Sequence, residues 1–221
     1  MILIVCAMEN EARVIRESIE NIEICKLLPQ KYYYKGTIKG KAVALIITGV
    51  GKVNAATLTS AILGKEKFEY IINIGYAGGV KPYKVGDIVV IKDASYHDVD
   101  LTSANSLYEY GQVPNMPHPF LSEISLVRRI RRELKCHALS LYTGDKFMTE
   151  KFYEGAGVYD MEGAAVYQVA HIFQTPIVAI KVISDILDTK TQNVDYSKSE
   201  EEFARLIKNT LVNILKIKIG E

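Results

Sequence analysis

The sequence predicts one α/β domain, residues 1–221, with a mixed, largely parallel central β-sheet flanked by helices on both sides. Short apolar runs alternate with amphipathic helical segments along the chain. The run Ile177–Asp185 (IVAIKVISD) is mostly apolar, which indicates a strand buried on both faces, as in parallel sheets. A chain of 221 residues that is 48% hydrophobic also suits one domain with a sizeable core.

Apolar runs and helical periodicity define the elements of the first half of the chain. In order, they are a strand at 2–7, a helix at 9–20, a strand at 42–48, a helix at 52–64 and a strand at 69–74. Between residues 22 and 48, extended segments with turns at Lys35-Gly36 and at Lys39-Gly40-Lys41 predict hairpins. The strand at 69–74 is predicted to end at the glycine-rich segment GYAGG, residues 75–79.

The second half of the chain continues the alternation. The predicted elements are a strand at 85–95, a helix at 121–134, a strand at 138–143, a helix at 160–172 and a strand at 177–184. Residues 98–119 contain three prolines and little periodicity, which predicts a long loop. Ser199 and Glu202 predict a capping box for a final helix whose apolar stripe is interrupted at Lys218.

The charge distribution argues against nucleic acid or a membrane as a partner. The net charge is +1, so no global field attracts a polyanion or an anionic surface. The one basic cluster lies on the helix at 121–134, opposite an apolar stripe, and is interpreted as a solvated face. Its members are Arg128, Arg129, Arg131 and Arg132, and the stripe is Leu121, Ile124, Val127, Ile130 and Leu134. No apolar segment is long enough to span a bilayer.

Cysteine usage and the N-terminus favour a cytoplasmic protein. Cys6, Cys25 and Cys136 are odd in number and lack metal-ligand spacing, which is typical of reduced thiols. No basic segment precedes the first apolar run, so this run is interpreted as the first strand and not as a signal peptide.

Three carboxylates follow predicted strands or begin a predicted helix. Asp185 ends the run at 177–185, Glu11 follows the first strand, and Glu162 opens a helix in DMEGAA. Since ligands of open α/β sheets bind beyond the carboxyl ends of strands, these acids are expected to meet in one crevice. Together they indicate acid–base chemistry on an uncharged, polar small molecule, and the alternative is that they only cap helices.

Two glycine segments resemble nucleotide-binding motifs without matching them. In TGVGK, residues 48–52, a P-loop would need glycine at Ile46 and a hydroxyl residue at Val53, and a dinucleotide fingerprint would need glycine at Asn54. The segment GYAGG fits neither pattern. We interpret both segments as a floor that a ligand approaches closely, and the alternative is that the glycines serve tight turns alone.

A set of motifs spread over the whole chain resembles one family, the 5′-methylthioadenosine/S-adenosylhomocysteine nucleosidases of the purine nucleoside phosphorylase superfamily. The motifs are AMENEA (7–12), TGVGKVNAA (48–56), NIGYAGGV (73–80), VGDIVV (85–90), YHDVDLT (96–102), YEYGQVP (108–114), TGDKF (143–147), DMEGAA (160–165) and VISD (182–185). The resemblance implies a nucleoside phosphorylase-like fold and hydrolysis of the N-glycosidic bond of methylthioadenosine, S-adenosylhomocysteine or 5′-deoxyadenosine. It further implies a cytoplasmic homodimer without metal or cofactor.

The resemblance also implies roles for the three acids. Asp185 would donate a proton to N7 of adenine, for which its pKa must rise above the ordinary value of about 4. Glu11 would act as the base that activates water, and Glu162 would accept hydrogen bonds from the ribose hydroxyls.

Further positions match substrate contacts of the family. Phe147 would stack on adenine, the backbone of Met148 would bind its edge, and Met161 would pack against the sugar. Ser184 would help to fix Asp185. The remaining matched positions are Ala7, Met8, Val50, Tyr76 and Gly78 at the site, with Leu101 and Pro114 in a loop at about 100–115 that enters the site of the partner subunit. His97, Asp98 and Asp100 look like metal ligands, but no fourth ligand is evident, so no metal site is predicted.

The chain departs from the family at two positions near these acids. Tyr76 stands where a small residue is usual, and Lys181 stands where an arginine commonly supports the catalytic glutamate.

Two other functions stay open. A phosphorylase would bind phosphate through Arg13 and Arg16 near Glu11, and a nucleoside-binding module would bind the ligand without turnover.

Overall fold

The computed structural model describes residues 1–103, 107–151, 156–188 and 200–216, and this part of the chain has the predicted α/β architecture. The strands are β1 (Ile2–Cys6), β2 (Glu20–Leu28), β3 (Lys31–Ile38), β4 (Lys41–Ile47), β5 (Tyr70–Gly79), β6 (Ile88–Tyr96), β7 (Phe120–Leu121), β8 (His137–Thr143), β9 (Gly157–Asp160) and β10 (Ile177–Ile186). The helices are α1 (Glu9–Arg16), α2 (Lys52–Lys65), α3 (Ile124–Leu134), α4 (Gly163–Ile172) and α5 (Glu200–Leu215).

All strands belong to one mixed sheet in which β5 is the central branch point. The order is β10-β6-β8-β9-β5-β1-β4-β3-β2, with β7 paired to β6. Strand β5 also pairs in parallel with β10, so β5, β10, β6, β8 and β9 form a closed ring. Strands β1 and β4 extend the sheet in parallel from β5, and β3 and β2 follow in antiparallel pairs. The mixed, largely parallel sheet that the sequence predicts is therefore confirmed.

The helices cover the sheet on two sides because strand residues alternate between its faces. Helices α2 and α4 pack on one face in a cluster that includes Ile62 and Val166. Helices α1, α3 and α5 pack on the other face in a cluster that includes Ile15, Ile130 and Ile207. Two apolar cores therefore sandwich the sheet, as the sequence predicts.

One predicted turn and one helix boundary differ from the structure. The predicted turn at Lys35-Gly36 is wrong, since both residues lie inside β3 and the chain turns instead at Pro29-Gln30. A Cβ at Gly36 would lie 2.4 Å from the carbonyl oxygen of Glu20, so this glycine permits close strand packing and not a turn. The turn before β4 is confirmed at residues 39–40. Helix α1 ends at Arg16, four residues earlier than predicted.

The largest difference concerns the segment GYAGG. It is not a loop, because β5 continues through it to Gly79 and pairs there with β9 and β10. The strand β9 has no counterpart in the sequence prediction, and α4 begins at Gly163, with Glu162 immediately before it.

The remaining predictions concern the helices. The four clustered arginines lie on the outer side of α3, where three are exposed and Arg129 is half-buried, but Leu121 and Ile124 of the predicted apolar stripe are exposed as well. Ser199 and Lys218 lie outside the described residues. Within the described ranges, none of the helices has the length and hydropathy needed to cross a membrane.

Candidate active site

A cleft with about 600 Å³ of empty space, its mouth included, lies where β1, β5, β9 and β10 end. Its size suits a small organic ligand. The cleft contains every residue predicted for the site except Leu101 and Pro114. Its lining residues are Ala7, Met8, Glu11, Val50, Tyr76, Ala77, Gly78, Lys146, Phe147, Met148, Tyr159, Asp160, Met161, Glu162, Ser184 and Asp185.

Glu11 lies at the first turn of α1, where three backbone N–H groups hold its carboxylate. Ala7 and Met8 donate to Oε2 at 3.0 and 2.9 Å, and Tyr76 donates to Oε1 at 2.9 Å. The side chain is buried, and this burial raises its pKa, although Lys181 and the three N–H donors oppose the shift. Glu11 is therefore a fixed carboxylate with more than ordinary basicity.

Gly75 provides the space that Glu11 occupies. A Cβ at this position would lie 2.5 Å from Glu11 Oε1, inside van der Waals contact. A side chain at residue 75 would thus displace the carboxylate, which explains a glycine within a buried strand. Gly75 therefore brings the strand close to the acid, and the interpretation of GYAGG as a floor that a ligand approaches stays a prediction.

Glu162 precedes α4 and is held by the glycine segment that follows β4. The backbone N–H of Gly51 donates to Glu162 Oε1 at 2.8 Å. Gly51 has φ +100, a conformation that favours glycine, and this turn directs its N–H toward the carboxylate. Burial, and then the charge of Asp160, raise the pKa of Glu162 to about 7. This carboxylate consequently titrates near neutral pH.

Asp160 and Lys181 form a buried ion pair beside these acids, and sequence reasoning missed the aspartate. Lys181 Nζ lies 2.8 Å from Asp160 Oδ2. Asp160 also accepts hydrogen bonds from Thr143 Oγ1 and from the backbone N–H of Gly163 at the start of α4. A lysine inside the apolar run at 177–185 was the sequence signal for this pair, since a buried cation requires an anionic partner.

Burial alone would lower the pKa of Lys181, but three carboxylates outweigh it. Asp160, followed by Glu11 and Glu162, raises that pKa, so Lys181 is a cation at neutral pH. Lys181 lacks the arginine fork and binds Asp160 directly, while its charge opposes the upward pKa shift of Glu11.

Asp185 is buried near the end of β10, next to a β-bulge. The register with β5 shifts between Ile183 and Asp185, so that Ser184 is the extra residue. Because a bulge re-aims side chains that would otherwise alternate, Ser184 and Asp185 both line the cleft. Ser184 Oγ donates to Asp185 Oδ1 at 2.6 Å, which orients the carboxyl group.

The other walls of the cleft are aromatic and aliphatic. Phe147 is 45% exposed at the mouth, and Val50, in the segment between β4 and α2, is 47% exposed. Met148 packs against Tyr159 and its neighbours. The ring of Tyr76 packs edge-on against Phe203 of α5, with ring centroids 5.7 Å apart. This lining suits a ligand that has an apolar face and carries polar groups on its other side.

Several residues singled out in the sequence lie outside the cleft or bind other residues of the same chain. Leu101 and Pro114 do not line the cleft of their own chain. Asp98 pairs with Lys52, and Asp100 accepts hydrogen bonds from Thr102. In the part of the chain that the structure describes, no cluster of three or more His, Cys, Asp or Glu side chains has the arrangement of a metal site.

Comparisons with known proteins agree with this geometry. Residues 1–217 match the model of the Phosphorylase superfamily. A protein of Bacillus cereus (strain G9842), 5′-methylthioadenosine/S-adenosylhomocysteine nucleosidase, is 36% identical over 231 residues, which cover 97% of this chain and 98% of that protein.

Two solved structures have the same fold over nearly their full length. The nucleosidase of Neisseria meningitidis, in complex with methylthio-immucillin-A, has a TM-score of 0.89 at 29% identity and covers 97% of this chain and 98% of its own. The nucleosidase of Colwellia psychrerythraea 34H, in complex with adenine, has a TM-score of 0.90 at 29% identity. The match covers 97% of this chain and 94% of that nucleosidase. The chain therefore belongs to the Phosphorylase superfamily and, within it, to the 5′-methylthioadenosine/S-adenosylhomocysteine nucleosidases.

Proposed function

We propose that this protein hydrolyses the N-glycosidic bond of 5′-methylthioadenosine and S-adenosylhomocysteine, with Asp185, Glu11 and Glu162 in distinct roles. Water and the nucleoside give adenine and the 5-thioribose. The observation that carries the proposal is the convergence of three buried carboxyl groups on one cleft with an aromatic residue at its mouth. Paired carboxyl groups are the usual means of cleaving a glycosidic bond through an oxocarbenium-like transition state.

In this proposal Asp185 is the general acid. Adenine is a poor leaving group as an anion, so N7 must receive a proton while the bond to the sugar breaks. Ser184 donates to Oδ1, which orients the carboxyl group for proton transfer. A positioned acid of this kind contributes roughly 10²–10⁴-fold to the rate.

Glu11 is the proposed general base for the attacking water. Its three backbone donors fix both oxygens, and burial raises its pKa, so it accepts a proton more readily than an ordinary glutamate. The water would attack the anomeric carbon as positive charge develops on the sugar. The negative charge of Glu11 also stabilises that developing charge.

Glu162 is the proposed acceptor for the ribose diol. A carboxylate offers two oxygens to two vicinal hydroxyl donors. The N–H of Gly51 holds Oε1 in place, so the carboxylate is oriented before the sugar arrives. The apolar wall formed by Met161 and Val50 lies beside it.

The positions of the arginines favour water over phosphate as the attacking group. Phosphorolysis requires several cationic donors at the site. Arg13 pairs with Glu17 and Arg16 pairs with Glu9, and neither residue lines the cleft. Among the described residues that line it, Lys146 is the one cation.

We also propose a homodimer in which a second chain completes the site. Leu101 and Pro114 do not line the cleft of their own chain. They lie in the loop that, by its resemblance to the nucleosidases, is expected to enter the site of the partner subunit. Apolar side chains are also exposed at the start of α2 and in this loop, with Val53 at 76% and Leu107 at 83%. Two exposed apolar residues of this kind favour burial against another chain.

The free thiols of the three cysteines support a cytoplasmic location.

The reaction is tested by incubating the protein with each thionucleoside in phosphate-free buffer and measuring adenine by chromatography. Release of adenine with one equivalent of free thioribose is expected. Asp185→Asn and Glu11→Gln should each lower kcat by roughly 10²–10⁴-fold while an unreactive nucleoside analogue still binds. Strict dependence on phosphate would establish the phosphorylase alternative, and intact binding without adenine release would establish the binding module.

The dimer is tested by mixing two inactive variants. Asp185→Asn removes the acid, and Leu101→Asp disrupts the loop that would serve the partner. In a mixed dimer, the Leu101→Asp chain keeps its own Asp185 and receives an intact loop from the other chain. Activity should therefore appear on coexpression of the two variants. The proposal would be contradicted if the wild-type protein had the mass of a monomer at micromolar concentration and was fully active.

A further inference from the structure

Three segments that carry site residues meet at one lysine outside the cleft. Lys52 is the first residue of α2, Asp98 follows β6, and Asp145 follows β8. We call these three residues the Lys52 junction. None of them lines the cleft.

The junction is held by several short polar contacts. Lys52 Nζ lies 2.8 and 2.7 Å from the two carboxylate oxygens of Asp98 and 3.2 Å from Asp145 Oδ2. The backbone N–H of Asp145 donates to Asp98 Oδ2 at 2.8 Å. The ammonium group also lies 5.3 Å from the centroid of the Tyr96 ring. Lys52 thus bridges two carboxylates on different segments, which gives the junction more geometric definition than an isolated surface pair.

Partial burial and close packing distinguish the Lys52–Asp98 contact from a fully solvated one. The side chains of Lys52 and Asp98 are 20% and 26% exposed, whereas that of Asp145 is 60% exposed. Burial alone would lower the pKa of Lys52, but Asp98 and then Asp145 outweigh it and raise that pKa. A Cβ at Gly144, next to Asp145, would lie 2.9 Å from Asp98 Cγ and 2.3 Å from His97 Cε1, so the two segments touch without room for a side chain.

Each segment at the junction leads directly to a different part of the site. Lys52 follows Gly51, whose N–H holds Glu162. Asp145 precedes Phe147 and Met148, which line the cleft as the aromatic and aliphatic wall. Asp98 begins the long loop that contains Leu101. The junction therefore fixes the distance between the diol carboxylate and the aromatic wall.

We propose that Lys52 is a positioning residue that holds the sugar-binding and base-binding halves of the cleft at the separation of an intact nucleoside. This inference rests on the proposed function for the identity of the ligand. Lys52 touches no substrate. Its loss would leave each half able to bind its own fragment while the two halves no longer bind one nucleoside together.

The test compares the affinity for a fragment with the affinity for a whole nucleoside. Calorimetry measures Kd for adenine and for 5′-methylthiotubercidin, a 7-deaza nucleoside without the N7 acceptor, so that binding is measured without turnover. In Lys52→Met, the nucleoside Kd should rise about tenfold, which equals about 1.4 kcal/mol, while the adenine Kd changes less than about twofold. Lys52→Arg, which keeps the charge, should restore the nucleoside Kd to within about threefold of wild type.

A matched control lies on the same helix. Lys65 is also a hydrogen-bonded lysine of α2, but it donates to the carbonyl oxygen of Lys26, away from the cleft. Lys65→Met should leave both Kd values unchanged. If Lys52→Met does not fold, Asp98→Asn removes the same ion pair from its other side with a smaller change in shape.

The inference would be overturned if Lys52→Met weakened the binding of adenine and of the nucleoside equally, or weakened the binding of neither. The same loss in Lys65→Met would also overturn it, because the effect would then belong to α2 as a whole. The proposed function fails separately, if wild-type protein releases no adenine from methylthioadenosine.

Discussion

Lys181 Nζ lies 2.8 Å from Asp160 Oδ2, with 3% and 2% of the two side chains exposed. The pair is surrounded by the buried carboxyl groups of Glu11 and Glu162, which both act on the pKa of Lys181. A buried cation and a buried anion are each costly alone, and their separation is unfavourable even where the pair itself adds little to stability. The pair therefore ties β10 to the start of α4 and supplies the positive charge next to the acids of the site.

Replacement of Lys181 by methionine should destabilise the fold because Asp160 would remain buried without its cation. The free energy of unfolding is expected to fall by about 3–5 kcal/mol, measured by urea denaturation. Lys35→Met is the matched control, because the side chains of Lys35 and Glu66 keep 26% and 24% exposure, and its removal should cost less, about 1 kcal/mol. Equal effects of the two changes would contradict the buried role of Lys181.

Replacement of Gly75 by alanine should reduce activity by displacing Glu11. The new Cβ would lie 2.5 Å from Glu11 Oε1, so the carboxylate must move. Misplacement of a catalytic group by about 1 Å costs roughly 10²-fold, which is the expected loss in kcat. In the control Gly64→Ala, no atom lies within 4 Å of the new Cβ, and kcat should be unchanged while α2 gains about 1 kcal/mol in stability.

The pKa of Glu162, raised to about 7, should appear in the pH profile of kcat/KM. Below this pH the free enzyme carries a protonated Glu162, which has lost acceptor capacity for the diol, so kcat/KM should rise with pH and level off above about 7. Glu162→Gln should have low activity without this limb. Glu69→Gln, at an exposed position that binds the N-terminus, should keep the wild-type profile.

The same shift predicts a pH dependence of stability with a defined sign. The folded state binds the proton of Glu162 more tightly than the unfolded chain, whose glutamates titrate near about 4.3. The stabilising contribution of this proton is present below that value and is lost as pH rises through about 7. Denaturation of wild type and Glu162→Gln between pH 4 and 8 should show the variant gaining relative stability as pH rises.

Removal of the Ser184 hydroxyl should have a moderate effect on turnover. Ser184 Oγ donates to Asp185 Oδ1, and the loss of one such hydrogen bond is worth about 0.5–1.5 kcal/mol, or up to about tenfold in kcat/KM. Ser122→Ala removes another buried serine, which bonds Ile91 and Tyr167 away from the cleft. This control should lower stability while kcat/KM stays within about twofold of wild type.

The alternation of elements was predictable because each strand and helix has a local apolar pattern that does not depend on the rest of the chain. The run at 177–185 indicated a doubly buried strand, and β10 is buried along its whole length. The segment GYAGG could not be assigned in this way, since glycine has no apolar signal and its strand conformation comes from pairing with β9 and β10. Strand β9 was not predicted for a different reason, because its four residues are too few to show a period.

The sequence by itself determined that Asp185, Glu11 and Glu162 lie near the ends of elements, because local apolar runs and helical periodicity show where each element begins or ends. It also determined the resemblance that assigned their roles. Only the tertiary structure decided that Asp160 pairs with Lys181, that Gly75 makes room for Glu11 and that Gly51 holds Glu162. These contacts join residues far apart in the chain, and their geometry depends on strand register and loop closure, which no local pattern of residues contains.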